Sequence, residues 1–152
     1  DLEYYFSRNP DPIIQEYIDG SEYTVNILSD KKGQVIASLP IRRLRVRNGL
    51  AVVAQAEKNK AMSTVANRVV EALEIIGPSN VQIIERNNQL FVIEVNPRFA
   101  SGGMPLATSA GFNIPLIMID LMQGNTIGAI NIEYGKKMIR YWDAYMLPPQ
   151  NG

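Results

Sequence analysis

Two short apolar runs, Val81–Arg86 and Leu90–Asn96, flank the polar triplet Asn87-Asn88-Gln89. Runs of this length around a polar break read as a β-hairpin. Tyr23, Val25 and Ile27 alternate with Glu22, Thr24 and Asn26, which reads as a further strand with one buried face. The turn Asp30-Lys31-Lys32-Gly33 joins it to extended structure over Gln34–Val46, where Pro40 implies an edge or a bulge. Connections this short cannot carry a series of βαβ crossovers. The expected fold is therefore α+β, a mainly antiparallel sheet with helices packed on one face.

The remaining elements follow from periodicity. Ile13–Tyr17 reads as a short strand broken by Asp19-Gly20-Ser21. Met62, Val65, Ala66, Val69, Leu73 and Ile76 recur at helical spacing, so a helix is expected over Asn59–Ile76, stopped by Gly77-Pro78. Pro97–Pro105 reads as a Gly-rich loop, Leu106–Ala110 and Pro115–Met122 as short helices, and Lys137–Trp142 as a final strand. The expected organisation is a tail or connector over 1–12, one lobe over 13–147 and a frayed tail over 148–152.

Composition narrows the chemistry. The 152 residues include no cysteine and no histidine. Disulfides, thiolate nucleophiles, a Ser-His-Asp triad and the usual zinc ligands are thereby excluded. A metal held here must be a hard cation on oxygen ligands. Fifteen basic residues balance fifteen acidic ones, so net charge argues for neither a nucleic-acid nor a membrane partner. The apolar run Ile114–Met122 contains Asp120 and is too short to span a bilayer. A cytoplasmic protein is expected. Charge is nevertheless segregated: Arg42, Arg43, Arg45 and Arg47 crowd one strip, suited either to an anion or to a solvated edge strand.

The hairpin gathers the remaining polar groups. Two registers are open to it. A three-residue loop pairs Gln82 with Glu94 and Asn80 with Asn96, and places Val81, Ile83, Phe91, Ile93 and Val95 on one apolar face. A two-residue Asn87-Asn88 loop sets Gln82 beside Ile93 and sends it away from Glu94. The apolar pattern favours the first. Its opposite face collects Gln82, Glu94 and Asn96, all oxygen donors of the kind Mg²⁺ takes. Polar residues facing water on a one-sided sheet are the plain alternative. Arg98 and the loop Ser101-Gly102-Gly103 follow directly, and a guanidinium with free amides suits an anion.

Ile14-Gln15-Glu16-Tyr17-Ile18-Asp19-Gly20-Ser21-Glu22, Asn80-Val81-Gln82, Glu94-Val95-Asn96-Pro97-Arg98 and Ala110-Gly111-Phe112-Asn113-Ile114-Pro115 together resemble the ATP-grasp superfamily. The branch they resemble is that of the carbamoyl-phosphate synthase large chain and carboxylate–amine ligases. The resemblance implies ATP with Mg²⁺, or Mn²⁺ in its place. It implies main-chain contacts from Glu16 and Ile18 to adenine, and a Glu22 carboxylate that accepts hydrogen bonds from the ribose hydroxyls. Arg43 and Arg47 would face phosphates, and Gln82, Glu94 and Asn96 would hold the metal. Arg98 would steady the transferred phosphoryl group, and Ser101, Gly102 and Gly103 would bind the acceptor. The implied partners are a preceding lobe with phosphate-binding lysines, a small carboxylate or bicarbonate, and an amine or ammonia. A homo-oligomer stays open. The competing readings are a catalytically inactive nucleotide-binding or scaffold domain, and a ligase for an amino acid or peptide.

Overall fold

The computed structural model describes residues 2–9, 11–141 and 143–147. The chain runs through α1 (Leu2–Arg8), β1 (Ser21–Ser29), β2 (Val35–Arg47), β3 (Leu50–Ala56), α2 (Lys60–Ala72), β4 (Gly77–Arg86), β5 (Gln89–Asn96), α3 (Met104–Ser109), α4 (Ile114–Met122) and β6 (Lys137–Ile139). All strand pairs are antiparallel, in one six-stranded sheet ordered β5-β4-β1-β2-β3-β6. The α+β class is as expected. The helices, however, are divided between the two faces.

Alternation along β1 produces the division. Tyr23, Val25 and Ile27 join Val81 and Ile83 under Met62, Ala66 and Val70 of α2. On the other face, Leu28, Leu39 and Ile41 join Ala54 and Ala56 beneath Leu106, Ala107, Phe112, Ile114 and Ile117 of the α3–α4 region. α3 and α4 cover only part of this second face. Fully burying a large apolar side chain is worth about 1.5–3 kcal/mol, so each cluster contributes strongly to cohesion.

Several local expectations change. Leu2–Arg8 within the expected tail is a helix with no buried residue. Ile13–Tyr17 forms no strand and lies exposed, since β1 starts only at Ser21. Pro40 sits on an interior strand: its carbonyl accepts from Glu57 N beyond the end of β3, so its missing N–H deprives no ladder partner. The irregularities lie elsewhere: Ile36 is the extra residue against β1, and against β3 the extra residues are Leu44 on β2 and Val52 on β3. β3 was not anticipated, although Asn48-Gly49, both at positive φ, make the tight turn that leads into it. The expected end strand shortens to Lys137–Ile139, and Trp142, like 148–152, lies outside the described residues.

α2 is capped by Asn59, whose Oδ1 accepts from Met62 N at 3.0 Å. It ends at Ala72, before the expected Gly77-Pro78 stop, which instead opens β4. Leu73 and Ile76 are exposed and Val70 takes the core position. The termination is a Schellman motif: Glu74 N donates to Glu71 O and Ile75 N to Val70 O. Glu74 occupies the left-handed position, at φ 51°. Glu74→Gly should therefore stabilise the domain by about 0.5–1 kcal/mol, read as a raised urea midpoint at unchanged m-value.

The β4–β5 hairpin uses both registers considered from sequence. Asn87 and Asn88, both at positive φ, form a two-residue turn, and Arg86, Glu85, Ile84 and Ile83 pair with Gln89, Leu90, Phe91 and Val92. Between Ile83 and Gln82 the register shifts by one residue. Beyond it Gln82 pairs with Glu94, Val81 with Val95 and Asn80 with Asn96. The extra residue is Ile93, a β-bulge. Phe91 consequently leaves the apolar face shared by Val81 and Ile83 and stands across from Ile84.

Candidate functional site

The uncovered part of the second sheet face carries the polar residues. Glu22, Thr24 and Asn26 alternate along β1, and Asn80 and Gln82 stand beside Asn26 and Thr24 on β4. The bulge at Ile93 then brings Glu94 and Asn96 of β5 into step with Gln82 and Asn80. Without that extra residue, the tight turn would direct Glu94 to the α2 side.

These side chains form one connected network. Gln82 Nε2 donates to Glu94 Oε2 at 2.9 Å, and Asn96 Nδ2 donates to Glu94 Oε1 at 2.7 Å. Asn96 Nδ2 also reaches Asn80 Oδ1 at 3.4 Å. Arg43 Nη1 donates to Gln82 Oε1 at 3.1 Å and pairs with Glu22 Oε2 at 3.0 Å. Arg43 Nη2 donates to Gly49 O at 2.6 Å, tying the β2–β3 turn to the network. The Arg43 side chain is only 10% exposed. The Gln82 amide orientation is chemically forced, because a flip would set its NH₂ against the guanidinium and its oxygen against the carboxylate.

Arg98 lies at the rim. Its carbonyl accepts from Asn80 Nδ2 at 3.0 Å, fixing the chain after Pro97, and Nη1 donates to Phe99 O at 3.3 Å. Arg43, Gln82, Asn96, Arg98, Ser101, Gly102 and Gly103 line one cleft of about 130 Å³. A second, larger cavity of about 610 Å³ shares no lining residue with it, and the Arg43–Glu22 pair links the two linings. Gln15–Gly20 line one part of it, and Glu22, Ile84 and Phe91, which are successive cross-strand neighbours, line another together with Ile93. Glu16 and Ile18 both line this slot. Glu16 also lies 3.6 Å from Arg86, an exposed pair of small energetic weight.

Arg47 is not brought to either cavity. It pairs with Leu50 at the end of the hairpin, exposed, and the extra residue Leu44 breaks the alternation that would align it with Arg43. Arg42 turns to Ser21 and Glu57 instead. Beside it, burial first, and then the hydrogen bond to Glu57, raise the Tyr23 hydroxyl pKa, so this phenol stays protonated. Sequence reading missed Arg140, whose Nη2 donates to Ser101 O and Gly102 O, both at 3.1 Å.

A family model described as ATP-grasp in the biosynthetic pathway with Ter operon matches residues 8–141. The chain belongs to this ATP-grasp family. The carbamoyl phosphate synthase large chain of Thermotoga neapolitana is 30% identical over 146 residues, covering 86% of this chain and 13% of that relative. The chain thus spans a small part of that relative's length. Among solved structures, the phosphoribosylaminoimidazole carboxylase ATPase subunit from Aquifex aeolicus superposes with a TM-score of 0.64 at 16% identity, covering 78% of this chain and 38% of that one. A complete multifunctional pyruvate carboxylase from Rhizobium etli gives 0.61 at 21% identity, covering 77% and 13%. At such identities the likeness establishes the ATP-grasp fold.

Among the described residues, no three of His, Cys, Asp or Glu cluster as a metal site. Glu94 is the one carboxylate held by Gln82 and Asn96. Each of the three side chains carries an oxygen that a hard cation can take together with other oxygens and waters, but Gln82 and Asn96 here turn their NH₂ groups to Glu94, so both amides must rotate to offer oxygen to a cation. No described helix is long and apolar enough to cross a membrane.

Proposed function

We propose that these residues are the ATP- and Mg²⁺-binding half of a carboxylate–amine ligase that works through an acyl phosphate. The observation that carries the reading is the line from the slot to the cleft that Arg43 bridges. Glu22 lines the slot, Gln82 lines the cleft, and Arg43 binds both. A nucleotide laid along it has its base between the main chain of Glu16–Ile18 and the Ile84–Phe91 wall. Its ribose meets Glu22, and its phosphates run past Arg43 toward Glu94.

Gln82, Glu94 and Asn96 would hold Mg²⁺, which supplies charge neutralisation on phosphate oxygens. Arg98 stabilises negative charge on the transferred phosphoryl group or its acceptor. A role for Arg47 at the phosphates rests on the sequence resemblance. In the reaction, a carboxylate oxygen bonds to the γ-phosphorus as the bond to ADP breaks. The amine nitrogen then attacks the acyl carbon, phosphate leaves, and the amine's proton passes to solvent. Positioning and charge dominate such transfers, which suits a chain without histidine or cysteine. The cytoplasm, where ATP is at hand, is the proposed compartment.

The test is ADP release by the full-length protein with candidate carboxylates and amines, with and without Mg²⁺. Carboxylate-dependent turnover supports the ligase reading. Tight Mg-ATP binding without turnover for any carboxylate would indicate an inactive nucleotide-binding domain. The 152 residues alone should release no ADP above background, because one wall of the cleft cannot enclose the ligand. Arg43→Met should raise the KM for ATP about tenfold with a smaller change in kcat, since it removes a charge-assisted donor to Gln82 and Glu22. An unchanged KM would remove Arg43 from the nucleotide site.

A further inference from the structure

Arg140 follows β6 directly and reaches the Ser101–Gly103 loop from outside the lining of the cleft. Its backbone N donates to Val52 O at 2.8 Å, so the residue is anchored to the sheet edge. Its Nη2 is shared between the Ser101 and Gly102 carbonyls, 3.1 Å from each. The loop lines the cleft and Arg140 does not.

The consequence follows from peptide geometry. In a trans peptide the carbonyl of one residue and the N–H of the next point in opposite directions. With the Ser101 carbonyl turned to Arg140, the Gly102 N–H is turned away from it. The Gly103 and Met104 N–H groups are both used, donating to Ala100 O at 3.2 and 2.9 Å. Ser101 and Gly102 N–H have no acceptor among the described residues. A cationic donor on the carbonyl also polarises the same peptide unit and strengthens its N–H as a donor.

We infer that Arg140 is a positioning residue that presents the Gly102 N–H to the cleft as a donor for an anionic acceptor, a carboxylate or its acyl phosphate. The inference rests on the ligase reading above for the identity of the anion, and on the hydrogen bonds alone for the orientation of the loop. It also gives the chain after β6 a part in the site that its distance in sequence conceals.

Arg140→Met removes the donors and keeps most of the stem, and Arg140→Lys keeps a charged donor. In the full-length protein, amide hydrogen exchange over residues 99–105 should be about tenfold faster in Arg140→Met, given the strength of charge-assisted bonds. Exchange over the adjoining strand, residues 50–56, should not change, and Arg140→Lys should restore much of the protection. With bicarbonate or acetate as acceptor, KM for the acceptor should rise while KM for ATP holds. Unchanged exchange at 99–105, or equal acceleration over 50–56, overturns the inference, the latter by making Arg140 a clamp on the sheet edge. Local acceleration in a protein that binds no Mg-ATP retains the loop orientation and rejects the ligase reading instead.

Discussion

Replacing Glu94 with alanine in the full-length protein is expected to abolish Mg²⁺-dependent ADP release while the domain stays folded. Among the described residues, Glu94 is the carboxylate that accepts hydrogen bonds from both Gln82 and Asn96. Amide oxygens alone bind a hard cation weakly. The lost rate should be about a thousandfold or more, the scale on which removal of preorganised charge stabilisation acts. The fold should survive because Glu94 stands on the exposed side of β5 and its truncation opens no core cavity. Water can take over the Gln82 and Asn96 donors it leaves. Thermal unfolding of the variant within a few degrees of the parent, with no turnover at any Mg²⁺ concentration, is the expected result. Retained turnover would dismiss Glu94 as a ligand, and a collapse in unfolding temperature would assign it a structural role.

The legible part of this site was the part written in strand alternation. Gln82 across from Glu94 and Asn80 across from Asn96 follow from the period of two along each strand, and both pairs are present. The turn is not legible in the same way, because the three-residue loop and the two-residue loop lead to different faces, and only a bulge reconciles a tight Asn87-Asn88 turn with the downstream pairing. Nothing in the identity of Ile93 announces that it is the extra residue, since bulges answer to twist and to neighbours across the sheet. β3 has a signal in Asn48-Gly49 followed by the apolar run Leu50–Ala54, but the arginine-rich stretch before that turn does not mark the strand that pairs with it. Ile13–Tyr17 has the composition of a strand but pairs with no strand of the sheet, and the flanks of β1, the next strand in sequence, are taken by β2 and β4. Arg140 could not be read at all: its partners lie 39 and 38 positions away, and the contact exists only once β6 docks on β3.

Gly111→Ala should destabilise the domain by about 3 kcal/mol, lowering its unfolding temperature by about 6–12 °C at this chain length. Gly124→Ala should lower it by only about 1 kcal/mol, or about 2–4 °C. Both glycines perform the same backbone task. Gly111 follows α3 at φ 95°, its N–H donating to Thr108 O and that of Phe112 to Ala107 O. Gly124 follows α4 at φ 78°, with Gly124 N donating to Leu121 O and Asn125 N to Asp120 O. Each is the left-handed residue of a Schellman motif, the position that Glu74 fills after α2. What separates them is space. A Cβ at Gly124 meets nothing within 4 Å, whereas one at Gly111 collides with the backbone carbonyl oxygen of Asn131, which has no rotamer to yield. That carbonyl belongs to the segment whose Glu133 N donates to Ala110 O at 2.9 Å, so relief of the collision must pull the 131–133 segment off the end of α3. Phe112, wholly buried beside it, would shift as well. Because α3 starts directly after the Ser101–Gly103 loop, Gly111→Ala should also weaken carboxylate-dependent turnover, while Gly124→Ala leaves it intact. Equal losses of stability in parallel urea unfolding of the two variants would show that φ alone sets the cost and that the Asn131 contact is slack.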